Sequence, residues 1–159
     1  MAKKEDKTNV MRLLESKRIP YERLDFEEFE STNGVEIAEY LGEDPNQAFK
    51  TLVTIGKSKG YYVFVIPVNA ELDLKKAAKA VSEKSIEMIK QKELLPLTGY
   101  IHGGCSPIGM KKFFPTYIDS SAANFSEIYF SAGKVGHQVK VAVQDIDKII
   151  RYELVDICV

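Results

Sequence analysis

The sequence predicts an α/β fold, with a mixed sheet that can close into a barrel and helices packed around it. Two observations carry this. Apolar stretches of strand length arrive in hairpins, and helix-like stretches fall between them. The third is size. The chain has 159 residues, 45% hydrophobic and 28% charged, which fits one domain over residues 1–159 with a proper core.

The elements follow in order. Residues 8–18 read as a short helix with Val10, Leu13 and Leu14 on one face, Thr8 or Asn9 as its cap and Pro20 as its stop. Tyr21 to Phe29 alternates apolar and charged residues and reads as a strand. Ser31-Thr32-Asn33-Gly34 is a loop that starts a helix, whose apolar face is Val35, Ala38 and Leu41 and whose end is Gly42. Strands at 50–55 and 61–66 flank a hairpin turn at Lys57-Ser58-Lys59-Gly60. Asp73 caps a helix over 74–81. A short strand at 85–89 and a short helix at 91–95, closed by Pro96, come next. Strands are expected at 116–119, 127–131 and 139–143, then a last helix from Gln144 or Asp145 carrying Ile146, Ile149 and Ile150.

Bulk properties narrow the function. A net charge of −1 argues against strong non-specific nucleic-acid binding, while a local basic patch stays open. The two cysteines, Cys105 and Cys158, make neither a disulfide framework nor a metal-ligand spacing, and fit a reducing cytoplasm. Residues 1–7 are polar and lack the apolar core of a signal peptide, and no run approaches the roughly 20 residues of a membrane span.

The chemistry concentrates in two glycine-rich loops. Thr98 to Gly109 holds four glycines, a proline and a serine within 12 residues, and Ser131-Ala132-Gly133-Lys134-Val135-Gly136 follows it. Such loops bring backbone N–H groups close to carbonyl or phosphate oxygens. Gly103-Gly104 is therefore either a tight turn or a backbone site for a substrate oxygen. Lys50, between Phe49 and Leu52, points either to solvent or into that site. Lys111 and Lys112 are a solvated pair or phosphate contacts. Ser106, Ser131 and Thr98 are the hydroxyl candidates, but His102 and His137 show no triad context. Cys105 reads as a small loop filler rather than a nucleophile. Neither a G-x-G-x-x-G fingerprint nor a Walker loop is present, and no metal or cofactor is expected.

In their order, several segments resemble the YbaK/EbsC family, the YbaK and prolyl-tRNA-synthetase-associated domain. They are Phe49-Lys50-Thr51-Leu52, Leu72-Asp73-Leu74-Lys75-Lys76-Ala77-Ala78-Lys79, and Thr98-Gly99-Tyr100 with Gly103-Gly104-x-Ser106-Pro107-x-Gly109-x-Lys111-Lys112. Ile118-Asp119 and Ile128-Tyr129-x-Ser131-x-Gly133-Lys134-x-Gly136 complete them. The resemblance implies a mostly antiparallel barrel of six or seven strands. It implies trans-editing deacylation of Cys-tRNA(Pro), as in the YbaK branch, with Cys-tRNA(Cys) as a second substrate and prolyl-tRNA synthetase as a candidate partner. Editing of Ala-tRNA(Pro) and a non-catalytic tRNA- or synthetase-binding module are the alternatives.

By resemblance the essential lysine falls on Lys50, the carbonyl-site glycines on Gly103 and Gly104, and the site serine on Ser131. Phe26, Thr98, Tyr100, Ser106, Lys111, Lys112, Gly133 and Lys134 complete a substrate-binding set. Phe26 stands where the family has a tyrosine, and Gln138 where it has an acid. His102 and Cys105 replace apolar residues. The branch needs no nucleophile of its own, because the substrate's cysteine thiol attacks its own ester.

Overall fold

Eight strands and five α-helices make up residues 6–159, the part of the chain that the computed structural model describes. The polar start at residues 1–5 lies outside it. Helix α1 (Asn9–Ser16) begins where Thr8 Oγ1 accepts the Met11 N–H at 3.2 Å and buries Val10, Met11 and Leu14. It stops before Pro20 is reached, as Arg18 turns to a φ of 59°. Strand β1 (Tyr21–Asp25) is shorter than expected, because Phe26 turns inward and its carbonyl accepts the Phe29 N–H. Helix α2 (Gly34–Leu41) is capped by the Asn33 side chain and closed by Gly42.

The hairpin forms as expected. Strands β2 (Phe49–Gly56) and β3 (Tyr61–Pro67) pair antiparallel, with Lys50 opposite Ile66. Helix α3 (Leu74–Ala80) starts at Asp73, whose carboxylate accepts the Lys75 and Lys76 N–H groups. Strand β4 (Ile86–Met88) pairs with β2. Helix α4 (Gln91–Thr98) departs from the sequence reading, since Pro96 lies inside it rather than closing it. A helical proline forfeits one backbone bond. The last turn survives because Thr98 Oγ1 donates to Leu94 O at 2.7 Å and Gly99 N–H to Leu95 O at 2.9 Å.

Strand β5 (Thr116–Asp119) leads through a 3₁₀ turn at Ser120–Asn124 to β6 (Glu127–Ser131) and β7 (His137–Ala142). The expected last helix is only α5 (Val143–Ile146). Beyond it Lys148, Ile149 and Ile150 bond three or four residues back, which tightens the backbone instead of extending the helix. Strand β8 (Glu153–Val155) is an addition that the sequence reading lacked. It is short and adds to β5 in parallel, so no hairpin signal marks it.

The strands form two sheets, ordered β1-β7-β6 and β4-β2-β3-β5-β8. Four of their six ladders are antiparallel, so the sheet character is mixed and mostly antiparallel as expected. Eight strands replace the expected six or seven, and the described ladders close no barrel. The sheets touch where Ala48 bridges Tyr129 and where Gln47 Nε2 donates to Glu127 O at 2.9 Å. Next to that contact, residues of β2 and the end of β6 line a shared cavity.

Strand β3 is apolar throughout because both its faces are covered. Val63 and Val65 join the core that contains α1 and the β6–β7 pair, while Phe64 and Ile66 pack under α3. Burying a side chain such as Phe64 contributes roughly 1.5–3 kcal/mol. The long glycine loop is anchored to the first core by Tyr100, which is buried and donates its hydroxyl to Ile108 O. At the tip, Gly104 N–H donates to Ile101 O at 2.9 Å, with Gly103 at a φ of 88°. That is a type II turn, which places a glycine at its third position.

The two glycine loops are in close contact. A Cβ on Gly104 would meet Val135 N at 3.0 Å and the Lys134 carbonyl carbon at 3.2 Å. Backbone cannot swing aside as a side chain can. Gly104→Ala is therefore expected to cost about 1–3 kcal/mol, the usual toll of overpacking. Chemical denaturation checks this, and an unchanged midpoint would show that the loops have slack.

Candidate active site

The cavity between the sheets has a volume of about 180 Å³. At roughly 30 Å³ per water it holds the equivalent of about six waters, a size suited to a small polar group. Its walls come from four places. Strand β2 gives Phe49, Lys50, Thr51 and Leu52; the α2 region gives Thr32, Gly34 and Ile37; the turn gives His102, Gly103 and Cys105; and the second sheet gives Ser131, His137 and Gln138. Phe26, Val68 and Leu94 complete the lining.

Of the residues singled out from sequence, Lys50, Gly103, Ser131 and Phe26 line this cavity. Gly104 lies next to it, but its N–H is committed to Ile101 O and is not available as an oxyanion donor. Thr98, Tyr100 and Ser106 are buried and serve the loop's own structure. The Thr98 hydroxyl bonds Leu94 O and accepts the Tyr100 N–H, and Ser106 Oγ accepts the Ile108 N–H. Lys111 Nζ reaches Pro96 O at 3.4 Å, and neither it nor Lys112 lines the cavity. Gly133 shapes the second loop, where its N–H bonds Ser131 Oγ at 3.0 Å. Lys134 lines a neighbouring polar hollow together with Arg23, Asp25, Glu27 and His137.

Lys50 sits at the start of β2, half-buried, and no carboxylate pairs with it among the described residues. Strand alternation sends Phe49 into the core and leaves Lys50 at the cavity wall. Beside it, Thr51 Oγ1 is buried without a hydrogen-bond partner. A polar atom left so is costly unless a ligand or water meets it. Gly103 and Cys105 have backbone N–H groups that no acceptor among the described residues takes.

No side chain here is set up to attack. Burial pushes the Cys105 thiol up to about 12, although contact with Thr98 works the other way, so it stays protonated. Ser131 Oγ accepts from Gly133 and has no bond to a histidine among the described residues. Its cavity role is that of a polar wall. No cluster of His, Cys, Asp and Glu able to hold a metal exists among the described residues.

Two polar constellations escaped the sequence reading. His137 is buried with Nδ1 2.7 Å from Asp25 Oδ1 and Nε2 3.3 Å from Glu27 Oε2. Burial pulls Asp25 upward, but the hydrogen bonds from His137 and Arg23 outweigh it and hold the carboxyl below its ordinary value. The second is Glu43 with Gln138, each about 8% exposed. The Gln138 amide is assigned with Nε2 towards Glu43, because that orientation lets it donate to Oε2 at 2.6 Å and to Oε1 at 3.3 Å where the opposite one would set oxygen against oxygen. Only the position of Gln138 next to the second glycine loop hinted at it; Glu43 lies far away in sequence, just past Gly42.

Lining, charge and the lack of an activated nucleophile make this cavity the candidate site, with a shape and polarity suited to a small polar group. The model of the aminoacyl-tRNA editing domain matches residues 31–149, and the chain belongs to that family. EbsC of Enterococcus faecalis, a candidate Cys-tRNA(Pro)/Cys-tRNA(Cys) deacylase, is 50% identical over 149 residues, covering 92% of this chain and 91% of that protein. A proline–tRNA ligase of Shouchella clausii is 31% identical over 107 residues, 67% of this chain and 19% of the ligase. A solved candidate trans-editing enzyme for prolyl-tRNA synthetase shares the fold, with a TM-score of 0.82 at 22% identity over 97% of this chain and 99% of that one. Among the described residues no helix is long and apolar enough to cross a membrane.

Glu43 gives this site a pH signature. Burial pushes its carboxyl up to about 7 from an ordinary 4.5; the Gln138 hydrogen bond and Lys140 pull down, and Glu22 adds to the rise. Between those values the folded protein keeps a proton that the unfolded chain has released. Stability contributed by this group therefore falls as pH rises from 4.5 through 7 and levels off above. Glu43→Gln is expected to be more stable than the wild type by about 2–3 kcal/mol at pH 8 and by little at pH 5. Urea melts at the two pH values test it, and an equal gap at both would contradict the assignment.

Proposed function

We propose that this protein is an aminoacyl-tRNA deacylase that clears cysteine from Cys-tRNA(Pro), with Cys-tRNA(Cys) as a second substrate, and that residues 1–159 act as one such domain in the cytoplasm. The observation that carries the reading is a small cavity holding an unpaired lysine and free backbone donors but no activated nucleophile. The 50% identity to EbsC over nearly the whole chain supports the substrate.

The chemistry then belongs to the substrate. The cysteinyl thiol loses its proton and its sulfur attacks the ester carbonyl carbon, forming a C–S bond. The resulting oxyanion collapses, the C–O bond to the ribose breaks, and the ribose oxygen takes up a proton. A cyclic thiolactone and free tRNA are the products. Holding the thiol against the ester makes the attack intramolecular, an advantage that reaches many orders of magnitude in effective concentration. The protein supplies orientation and charge. The Gly103 and Cys105 N–H groups are the donors available to the oxyanion. Lys50 meets the phosphate or ribose oxygens of the tRNA 3′ end. Phe26, Ile37 and Phe49 give the aminoacyl side chain an apolar wall. With a net charge of −1, the chain gains tRNA through prolyl-tRNA synthetase rather than through a strong field of its own.

Lys50→Ala is expected to lower kcat/KM for Cys-tRNA(Pro) by about 10–100-fold, the worth of a hydrogen bond to a charged group, while the fold survives. Single-turnover deacylation of Cys-, Ala- and Pro-tRNA(Pro) measures it and sets the substrate order. Wild-type rates in a folded Lys50→Ala protein would remove Lys50 from the site, and faster clearance of Ala-tRNA(Pro) would replace the proposed substrate.

Cys105→Ala is expected to stay within a few-fold of wild type, and Ser-tRNA(Pro) to react slowly, since a hydroxyl is a poorer nucleophile than a thiol. Abolished turnover in a folded Cys105→Ala protein would mean that the enzyme itself forms a covalent intermediate.

A further inference from the structure

Gln138 lines the cavity on β7, directly opposite Ser131 on β6 and Leu24 on β1. An amide offers the cavity either an acceptor or a donor, depending on which way it is turned. Here the choice is made by a residue outside the cavity. Glu43 follows the C-cap of α2, with its N–H bonded to Ala38 O, and its carboxylate takes the Gln138 Nε2 hydrogens at 2.6 and 3.3 Å. An ionised carboxylate only accepts, so it holds the NH₂ end and leaves Oε1 for the cavity.

We propose that Glu43 is a positioning residue for the deacylation site, which sets the Gln138 amide so that its carbonyl oxygen accepts a hydrogen bond from the α-ammonium of the aminoacyl group. This rests on the functional reading above. Protonated, Glu43 carries an O–H beside an acceptor oxygen and no longer fixes the amide: Gln138 Oε1 takes that O–H in the turned orientation, which sends the NH₂ to the cavity, where it opposes an ammonium. The site thus loses its acceptor when Glu43 gains a proton.

The surroundings leave Gln138 as the partner of Glu43. Lys140, two residues along β7, is drawn to Glu22 at 3.0 Å and Glu127 at 3.8 Å. Glu22 on β1 and Tyr129 on β6 also interact with Glu43 electrostatically, Asp44 follows it in the chain, and Lys140 lies 5.7 Å from the centre of the Tyr129 ring. Burial favours protonation of Glu43 and Glu22 adds to it, while the Gln138 hydrogen bond and Lys140 oppose it, so the changeover falls at about 7.

The test has two arms on the full chain. In the first, the side-chain amide resonances of Gln138 are followed by ¹⁵N correlation spectra from pH 5.5 to 8.5, with Gln138→Glu used for assignment. A titration step that disappears in Glu43→Gln is expected; resonances that stay constant in the folded wild type would overturn the coupling. In the second arm, KM and kcat for Cys-tRNA(Pro) are measured over the same range. The wild-type KM is expected to rise as pH falls below about 7, and Glu43→Gln to lose that dependence. Glu43→Ala is expected to raise KM about tenfold with kcat nearly unchanged, one charge-assisted hydrogen bond's worth. The same pH profile in wild type and Glu43→Gln, or a loss confined to kcat, overturns the proposed role. A wild-type protein that does not deacylate Cys-tRNA(Pro) refutes the functional reading and the ammonium contact together, whereas the spectral arm still decides whether Glu43 sets Gln138.

Discussion

The contact between the two glycine loops is the constraint on which the site depends. Gly104 lies where a Cβ would press on the backbone of Lys134 and Val135, and a Cβ on Gly103 would press on Thr32 at 2.9 Å. One loop is rooted in the core through Tyr100 and Ile108, the other is the β6–β7 connection. Their closeness brings Gly103 and Cys105 to the same cavity as Ser131 and Gln138. A looser contact would leave the unpartnered N–H groups of Gly103 and Cys105 without a fixed place at that cavity wall. The cavity lies beside the point where the two sheets touch, at Ala48 and Tyr129, and takes lining residues from both β2 and β6.

Polar groups at this site are held at a cost to the fold. Glu43 is buried beside Glu22, Thr51 Oγ1 has no partner, and His137 lies between two carboxylates. Each is a place where an apolar substitute would satisfy the core better. Strain and unmet polar groups cluster where a protein works, and the surrounding packing must over-determine them. Here the packing is supplied by the two cores on either side of β3, which hold β2 from both faces. A rigid β2 keeps Lys50 at the cavity wall without a carboxylate to neutralise it.

Local signals were legible where they are governed by nearby residues. The caps at Thr8 and Asp73, the helix end at Gly42 and the β2–β3 hairpin all rest on contacts within a few positions. The misreadings share a cause. Pro96 was outvoted by the Thr98 hydroxyl and the Gly99 cap. Strand β8 pairs with the edge that β5 offers it, and Phe26 left β1 because its ring is buried at the cavity wall and its N–H bonds Gly136 O. In the site, motif residues split by burial. Lys50, Gly103, Ser131 and Phe26 reach the cavity, while Thr98, Tyr100 and Ser106 spend their polar atoms on the loop that presents it.

The sequence by itself determined the order of the helices and of the strands up to β7, the mixed sheet, the two glycine loops and the family, because periodicity, capping and ordered motifs are written along the chain. Tertiary structure alone decided that the strands make two sheets rather than a closed barrel. It also decided which glycine N–H is free, and that Glu43 should meet Gln138 across 95 positions of chain. Those outcomes depend on which groups folding brings within hydrogen-bonding distance and which it takes from water. Neither the few-ångström reach of a hydrogen bond nor the cost of desolvating a charge can be read from spacing along a sequence.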